Sequence, residues 1–273
     1  MTLDGEKIVL IGGAGFVGSH IVDQLLHEPV KEIVIVDNFV RGVRSNVKAA
    51  LSDPRVTLVE GSITDTAFLA RVLDGAAGVF HLAALWLHEC VHEPRSALEV
   101  NVVGTYNVVE AAQRAGVKRV VYSSSASVYG DAVTTPMTED HPFNNRTMYG
   151  ATKIAGEQFF RAFFEQHRLN YVALRYMNIY GPRMDDKGAY VSVVVKVLDR
   201  IAGGQPPVIF GDGSQTYDFI HVGDVAKANV LAMKSDVSDV AVNIGTGVKT
   251  TIATLVDRLL ALTGSSLRPE FRP

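Results

Sequence analysis

The stretch Lys7–Gly18 reads KIVLIGGAGFVG and joins an apolar run to a glycine-rich turn. The run Lys7–Ile11 is typical of a strand buried on both faces, and the residues after Gly15 predict the start of a helix. Glycines at positions 12, 15 and 18 permit a tight turn, close approach of the backbone to a diphosphate, and close packing of helix on strand. Because a helix N-terminus presents N–H groups and a positive dipole end, the stretch predicts a dinucleotide-binding loop.

Outward from this loop, short β-branched runs alternate with helical patterns. Strands are predicted at Lys7–Ile11, Glu32–Val36, Val56–Val59, Gly78–Leu82, Arg119–Ser123 and Tyr171–Arg175. Helices are predicted at Gly18–His27, Ala67–Leu73, Glu99–Ala115 and Tyr149–Gln166. This alternation predicts an α/β fold with a doubly wound parallel sheet of the Rossmann type.

The pattern becomes richer in loops from about Tyr176, which predicts a smaller C-terminal lobe. We expect a dinucleotide-binding Rossmann domain over residues 1–175 and a substrate-binding lobe over residues 176–273. The apolar run Val240–Ile244 is expected to return to the main sheet, so that the two parts interleave.

The second predicted strand ends in a carboxylate, Asp37, nineteen residues after Gly18. A carboxylate at this point can accept hydrogen bonds from the adenosine ribose hydroxyls and would repel a 2′-phosphate, which favours NAD over NADP. Arg41 and Arg44 follow closely and are the cations that a 2′-phosphate would need, so NADP is the alternative.

Composition excludes several classes of protein. A net charge of −3 without a cluster of Lys or Arg argues against nucleic-acid binding. One cysteine, Cys90, excludes an internal disulfide and fits a reducing cytoplasm, and the N-terminus lacks the features of a signal peptide. The longest apolar stretch, Tyr190–Leu198, is too short to span a membrane. His88 and His92 lack an evident third ligand, so no metal site is expected.

Tyr149 and Lys153 stand four residues apart, which places them on one face of a helix. A nearby ammonium group favours the phenolate form, and a phenol with a lowered pKa can take a proton from an alcohol. This spacing arises by chance too readily to carry the argument alone, and it gains weight only from other motifs.

Those motifs occur in order along nearly the whole chain. Besides the glycine loop they are His81–Ala84 (HLAA), Asn101–Thr105 (NVVGT), Ser123–Gly130 (SSSASVYG), Tyr149–Lys153 (YGATK), Arg175–Arg183 (RYMNIYGPR) and Phe210–Gln215 (FGDGSQ). With these motifs the chain resembles the extended short-chain dehydrogenase/reductase family, in its nucleotide-sugar epimerase/dehydratase branch.

The resemblance implies a role for each matching residue. Tyr149 would transfer the proton, Lys153 would bind the nicotinamide ribose and lower the pKa of Tyr149, and Ser125 would bond the reacting sugar oxygen. The implied contacts of NAD are Gly12, Gly15, Phe16, Val17, Gly18, Asp37, Asn38, Ser62, Ile63, Leu82, Ala83, Ala84, Asn101, Ser123, Tyr149, Lys153 and Tyr176. Those of the sugar nucleotide are Trp86, Ser125, Asn178, Arg183, Phe210 and Tyr217. Four of these residues have a structural alternative: Asn101 as a helix cap, Phe210 as a core residue, Ser123 as a strand-end serine and Trp86 as a residue packed beneath its loop.

The residues after Ser125 bear on the reaction. Dehydratases of this resemblance carry Asp-Glu there and decarboxylases keep the Glu, whereas this chain has Ala126 and Ser127, which cannot transfer a proton as a carboxyl does. The favoured reaction is therefore epimerisation of a nucleotide sugar, at C4 of a UDP-hexose, with regenerated NAD. The alternatives are a decarboxylase or dehydratase, an epimerase at another carbon, and a catalytically silent NAD-binding scaffold.

Two positions depart from the pattern of the resemblance. Tyr217 replaces a diphosphate-binding Arg, and Trp86 stands where relatives carry smaller or cationic residues. If the substrate were a uronic acid, Arg183 and Lys187 would be candidate cations. Relatives also continue beyond Pro273, so we expect the second lobe to lack its C-terminal end. A homodimer built through a four-helix bundle is implied as well, and the many phenylalanines of Tyr149–Gln166 agree with it.

Overall fold

The computed structural model describes residues 1–185 and 192–273, and the chain forms two compact units. The first unit comprises Met1–Tyr176 and Val222–Ile244. The second comprises Met177–His221 and Gly245–Pro273. The run that is predicted to return to the main sheet, Val240–Ile244, thus lies in the first unit.

The strands, in chain order, are β1 (Lys7–Ile11), β2 (Glu32–Asp37), β3 (Val56–Glu60), β4 (Gly78–His81), β5 (Arg119–Ser125), β6 (Tyr171–Tyr176), β7 (Asn178–Tyr180), β8 (Val208–Phe210), β9 (Thr216–Tyr217), β10 (Phe219–His221), β11 (Val240–Ile244), β12 (Thr250–Thr251) and β13 (Glu270–Arg272). The α-helices are α1 (Phe16–Leu25), α2 (Thr66–Val72), α3 (Leu87–His92), α4 (Pro94–Ala97), α5 (Thr105–Arg114), α6 (Met148–His167), α7 (Val193–Ala202), α8 (Val222–Lys234) and α9 (Ile252–Leu262).

The first unit is built on a seven-stranded sheet in the order β3-β2-β1-β4-β5-β6-β11, with each pair of neighbours parallel. This order confirms the predicted doubly wound parallel sheet. The strand order reverses between β1 and β4, and in such sheets ligands bind beyond the carboxyl ends of the strands at this reversal. The glycine loop follows β1 and therefore lies at that point.

Burial explains why the strands could be predicted. The side chains of β1, β2 and β4 are almost completely covered, because helices cover both faces of a parallel sheet. β5 extends two residues beyond its prediction, to Ser125, since serines can end a buried strand when their hydroxyls find partners. The helix predicted at Glu99–Ala115 is a π-helical turn, Leu98–Gly104, followed by α5.

Helix α6 carries Tyr149 and Lys153, and its two ends are well defined. The Thr147 hydroxyl accepts a hydrogen bond of 3.0 Å from the Gly150 N–H and so caps the first turn. Arg168, with φ of 57°, ends the helix in the left-handed conformation. The capped start sets the first turn, which holds Tyr149.

The second unit pairs its short strands as β7 with β10, β8 with β13, and β9 with β12. Its apolar core lies between α7, β8 and α9 and consists of Val197, Ile209, Val256 and Leu260. In the described parts of both units, every helix is too short or too polar to cross a lipid bilayer.

Candidate active site

The glycine loop has the close contacts that its sequence predicts. Gly12 has φ of +85°, and a Cβ there would lie 2.7 Å from the Ala83 nitrogen, so a side chain is excluded on two grounds. A Cβ on Gly18 would lie 2.5 Å from the Gly12 oxygen, which shows how closely α1 packs on the turn. Gly15 precedes α1 without a side-chain cap, and the first N–H groups of a helix have no intrahelical partner. This helix end is suited to bind phosphate.

A cleft opens in front of the loop. The predicted cofactor residues that line it are Gly12, Gly15, Asp37, Asn38, Ser62, Ile63, Leu82, Ala83 and Ala84. Its other lining residues are Ile11, Val36, Val40, Arg41, Gly42, Gly61, Leu85 and Val100. Phe16, Val17 and Gly18 lie next to the cleft, in the first turn of α1. The cleft therefore brings together loops that follow β1, β2, β3 and β4.

Asp37 connects two of these loops. Its carboxylate accepts hydrogen bonds from the N–H groups of Ala14, at 3.0 Å, and of Phe39, at 2.9 Å. Burial raises the pKa of this carboxyl, and the backbone hydrogen bonds oppose that effect. The predicted ribose contact remains a prediction, and the structure adds that Asp37 fixes the glycine loop to the loop after β2.

Ser125, Tyr149 and Lys153 meet where β5 ends beside the first turns of α6. The Ser125 hydroxyl lies close enough to the Tyr149 phenol to lower the pKa of that phenol. The Lys153 ammonium donates a hydrogen bond of 2.7 Å to the Ser123 carbonyl and lies 5.6 Å from the centroid of the Tyr149 ring. The geometry thus places a phenol, a second hydroxyl and a cation together.

The pKa of Tyr149 differs from the expectation that Lys153 lowers it. Burial raises the pKa of this phenol above its ordinary value, and the groups that oppose this rise are the Ser125 hydroxyl and the Arg41 charge. The physical reason is that the ammonium of Lys153 is directed to a carbonyl, while the phenol has lost much of its hydration. In this arrangement Tyr149 is a proton donor that needs additional positive charge nearby to become a base.

Lys153 is itself perturbed, since only 3% of the residue is exposed. Burial lowers the pKa of its ammonium to about 8, although the nearby Cys90 and Glu157 raise it. Its charge therefore changes within the range of pH in which an enzyme can be assayed.

Asn101 has a different role from a helix cap. Its side chain accepts a hydrogen bond from the Leu85 N–H at 2.6 Å and donates one to the Leu85 carbonyl at 2.8 Å. It also donates to the Thr152 hydroxyl at 3.2 Å. Asn101 thereby fixes the loop after β4, which lines the cleft, and its direct contact with the cofactor stays a prediction.

Ser123 and Tyr176, both predicted at the cofactor, belong to a buried chain of hydrogen bonds. Their hydroxyls lie 2.9 Å apart, and the Tyr176 hydroxyl donates to Asn229 Oδ1 at 3.0 Å. Burial raises the pKa of Tyr176 to about 12, so its phenol stays protonated. Asn229 lies on α8, and no motif of the sequence marks it.

Two further residues lie near the predicted catalytic residues, and no motif of the sequence assigned them a role. Glu157 and Arg175 form a buried ion pair beside Ser124. The available signal was spacing, because Glu157 follows Lys153 by four residues and so shares its helix face.

The remaining predicted substrate residues lie in the second unit, apart from Trp86, which starts α3 in the first. Asn178, Arg183, Phe210 and Tyr217 are all exposed there. Phe210 is 65% exposed, which excludes the alternative of a core residue. Lys187, the second candidate cation, falls outside the described residues. Among those described, no group of three His, Cys, Asp or Glu side chains could hold a metal ion.

Comparison with known proteins places this site in a family. Residues 8–245 match the NAD dependent epimerase/dehydratase family. The chain belongs to this family. The predicted membership of the epimerase/dehydratase branch is thus confirmed, and so is NAD as the cofactor.

Individual members of the NAD dependent epimerase/dehydratase family are similar over almost the whole chain. A UDP-glucose 4-epimerase of Mycolicibacterium smegmatis is 35% identical over 98% of this chain and 86% of its own. The structure of a UDP-N-acetylglucosamine 4-epimerase from Methanobrevibacter ruminantium, in complex with UDP-N-acetylmuramic acid, has a TM-score of 0.94 at 34% identity and covers 98% of this chain and 86% of its own. That of a Thermotoga maritima UDP-glucose 4-epimerase with UDP-glucose has a TM-score of 0.90 at 34% identity, with 98% and 85% covered.

The family's cofactor fits the cleft of this chain. A Cβ on Gly15 would meet only the Gly12 oxygen, at 3.3 Å, so the surface of the loop at this residue is open to a ligand. Arg44, which could have served a 2′-phosphate, pairs with Glu60 at 2.5 Å. These observations agree with NAD bound across the glycine loop.

Proposed function

We propose that this protein is a nucleotide-sugar 4-epimerase that acts on a UDP-hexose and retains NAD between turnovers. The observation that carries the proposal is the pair of neighbouring hydroxyls of Ser125 and Tyr149 beside Lys153, in a chain that places Ala126 and Ser127 next to Ser125. Four-epimerases among the relatives support the choice of carbon.

The hydroxyl pair can handle the proton of the sugar alcohol. Ser125 Oγ accepts a hydrogen bond from the Ser127 N–H at 3.1 Å, which fixes its direction. It would bond the reacting sugar oxygen, and Tyr149 would take the proton from that oxygen and later return it. NAD, when bound, accepts the hydride from the sugar carbon and gives it back, which leaves no net oxidation.

The absence of a carboxyl group at positions 126 and 127 favours epimerisation over elimination. Loss of water from a keto-sugar needs an acid and a base at the neighbouring carbons. Ala126 has no titratable group, and Ser127 has a hydroxyl that accepts from Ser125 at 3.1 Å. A keto-sugar that turns over in the site can only take the hydride back, on its other face.

The substrate residues complete the proposal. We assign Asn178, Arg183, Phe210 and Tyr217 of the second unit to the sugar nucleotide, with Trp86 as a candidate wall of the sugar pocket. On this assignment the second unit is the substrate-binding lobe. Because the sequence has a single cysteine, which fits a reducing compartment, we place the protein in the cytoplasm.

The proposal is tested with purified protein and UDP-sugars. UDP-glucose or UDP-N-acetylglucosamine deuterated at C4 should give the C4 epimer with the deuterium kept at C4, as NMR spectroscopy would show. Tyr149→Phe should abolish this conversion and leave NAD bound. A product with a new double bond or a lost carboxyl would identify the dehydratase or decarboxylase alternative, and a different inverted carbon would identify another epimerase. No product from any nucleotide sugar, with NAD bound, would identify a silent scaffold.

We further propose a homodimer through a four-helix bundle of α5 and α6 from each subunit. Tyr106 of α5 is 40% exposed and meets the rings of Phe159 and Phe163 of α6 edge-on, at centroid distances of 5.7 and 5.9 Å. Light scattering should give a dimer mass that Tyr106→Lys reduces to a monomer. Leu262→Lys, on exposed apolar surface of α9, is the matched control and should leave the mass unchanged. A monomer at micromolar concentration would contradict the proposal.

A further inference from the structure

Arg41 lies in the loop after β2, and this loop is attached to the glycine loop. The Val43 N–H and the Asn46 side-chain amide both donate to the Ala14 carbonyl, at 3.1 and 3.0 Å. Ala14 in turn donates to Asp37, at the end of β2. Arg41 also lines the cleft in front of this loop. Its backbone is therefore held at a fixed place beside the predicted phosphate site.

The side chain of Arg41 reaches across to the loop after β4. Its guanidinium lies over the ring of Trp86, 4.7 Å from the centroid, which is the geometry of a cation–π contact. Trp86 is itself anchored, because its backbone N–H donates a hydrogen bond of 3.2 Å to the Glu89 carboxylate and Asn101 holds the preceding Leu85. Both partners of the contact thus start from fixed backbone.

The charges that line the cleft bear on the role of Arg41. Among the described residues that line it, Arg41 is the only Lys or Arg. The other charged lining residue, Asp37, already accepts two backbone hydrogen bonds. The N-terminus of α1 offers about half a positive charge, whereas the diphosphate of a dinucleotide is a dianion. A full cation within the cleft would supply the missing attraction.

We propose that Arg41 and Trp86 form a clamp across the cofactor cleft, in which the guanidinium of Arg41 binds the diphosphate of NAD and the ring of Trp86 holds that guanidinium in place. A planar guanidinium suits both tasks, since it stacks on an aromatic ring and still donates hydrogen bonds in its plane. The contact joins the loops that follow β2 and β4, so the bound cofactor would be enclosed between them and the glycine loop.

The electrostatic reach of Arg41 agrees with this position. Its charge is one of the two influences that lower the pKa of Tyr149. The guanidinium is therefore close enough to the Tyr149 hydroxyl to act on its charge, and it lines the same cleft as Asp37. The diphosphate joins the two nucleosides of a dinucleotide, and a cation near both ends of the cleft is suited to meet it.

Trp86 provides a direct readout because it is the only tryptophan of the chain. Protein stripped of nucleotide is titrated with NAD, ADP-ribose and adenosine, and binding is followed by Trp86 fluorescence and by calorimetry. We expect Arg41→Met to weaken NAD and ADP-ribose by about tenfold, as for a charge-assisted hydrogen bond, and to leave adenosine unchanged. Arg41→Lys should restore part of the loss.

Arg44→Met is the matched control, because Arg44 lies in the same loop and pairs with Glu60 at its exposed surface. It should change none of the three affinities. Trp86→Ala should weaken NAD binding as Arg41→Met does, whereas Trp86→Phe should keep most of it. Unchanged adenosine binding also reports that the Arg41→Met cleft is folded.

Three results would overturn the proposal. These are NAD affinity in Arg41→Met equal to that of the unmodified protein, an equal loss for adenosine and NAD, and a change confined to the KM of the sugar nucleotide. Because the measurement is of NAD binding, its outcome does not depend on which sugar is turned over.

Discussion

The carboxylate of Glu157 and the guanidinium of Arg175 form a buried bidentate ion pair next to the predicted catalytic residues. Nε donates to Oε1 at 2.9 Å and Nη2 to Oε2 at 2.7 Å, and each residue is 5% exposed. Glu157 lies one helical turn beyond Lys153 and accepts a hydrogen bond from Ser124, the neighbour of Ser125. The pair therefore ties the end of β5, which carries Ser125, to β6 and to α6, which carries Tyr149.

Replacement of Glu157 by Gln should both destabilise the protein and slow it. The change leaves the buried Arg175 charge without its counterion, and breaking such a pair costs about 3 kcal/mol or more. Chemical denaturation would measure this loss. We expect kcat to fall by about tenfold with little change in KM, because misplacement of Tyr149 affects the reaction more than binding.

A double variant separates positioning from stability. Glu157→Met combined with Arg175→Met should regain most of the unfolding free energy, since an apolar pair of similar volume avoids the burial of charge. If kcat recovers together with stability, the ion pair has only a structural role.

Asn101→Leu should weaken NAD binding because it releases the loop after β4. The variant leaves the Leu85 N–H without its side-chain partner and the Leu85 carbonyl with only the weak thiol donor of Cys90, at a cost of about 1–3 kcal/mol for each group that stays buried. We expect the loop after β4 to shift and the Kd for NAD, measured by calorimetry, to rise severalfold. Asn170→Leu is the control, because its amide donates to the Lys118 carbonyl and neither residue lines the cleft; it should leave the Kd unchanged. An unchanged Kd in Asn101→Leu would show that the loop after β4 holds its position without the hydrogen bonds of Asn101.

The charge on Lys153 should limit activity at high pH. Because burial lowers its pKa to about 8, the ammonium is lost as the pH rises through that value, and turnover by the cofactor-bound enzyme should fall with it. Stability follows the opposite course. The unfolded chain keeps this proton up to the ordinary pKa of 10.5, whereas the folded protein loses it above about 8. The contribution of Lys153 to the free energy of unfolding therefore increases as the pH rises from about 8 to 10.5.

Lys153→Met gives the matching test. It should remove turnover, and at pH 7 it should raise the free energy of unfolding by up to about 3 kcal/mol, because the buried charge is gone. The difference in the free energy of unfolding between the variant and the unmodified protein should become smaller between pH 8 and 10.5. A constant difference over this range would show that Lys153 keeps its ordinary pKa.

His81 should contribute to acid unfolding. It is completely buried, its Nε2 lies 3.0 Å from the Thr105 hydroxyl, and burial together with the Lys153 charge lowers its pKa to about 3. The folded protein keeps His81 neutral while the unfolded chain takes up a proton below pH 6.5, so stability falls as the pH drops from 6.5 to 3.

For one proton this slope is about 1.4 kcal/mol per pH unit. His81→Gln, whose amide can still bond Thr105, should lose less stability than the unmodified protein between pH 6.5 and 4, as urea unfolding would show. If the free energy of unfolding fell equally with pH in both proteins, His81 would not be a source of the acid sensitivity.

The fold could be predicted from the sequence because the strands of a doubly wound sheet are apolar almost throughout. The run Glu32–Val36 could be predicted as a strand without knowledge of the strands beside it, since few other structures bury such a short β-branched segment. The π-helical turn at Leu98–Gly104 could not be predicted, because it depends on the contact between Asn101 and a loop sixteen residues earlier.

The site was predictable in its residues but not in its electrostatics. Spacing brought Tyr149 and Lys153 to one helix face, yet spacing cannot say that the ammonium turns to the Ser123 carbonyl. The pKa of Tyr149 depends on how much water its hydroxyl has lost, which only the packed structure determines. The partnership of Glu157 with Arg175 likewise joins two elements whose proximity is a result of folding.

The path of the chain through the first unit has one more consequence. The chain leaves this unit at Tyr176, returns at Val222, and leaves again at Ile244, opposite Tyr176 on the neighbouring strand. Helix α8 and strand β11 are therefore held by burial and hydrogen bonds as well as by covalent connection. A break in the backbone between residues 177 and 221 would yield two polypeptides that each contain part of one sheet. Separately produced halves are thus expected to find each other and reassemble, as in a split-protein reporter.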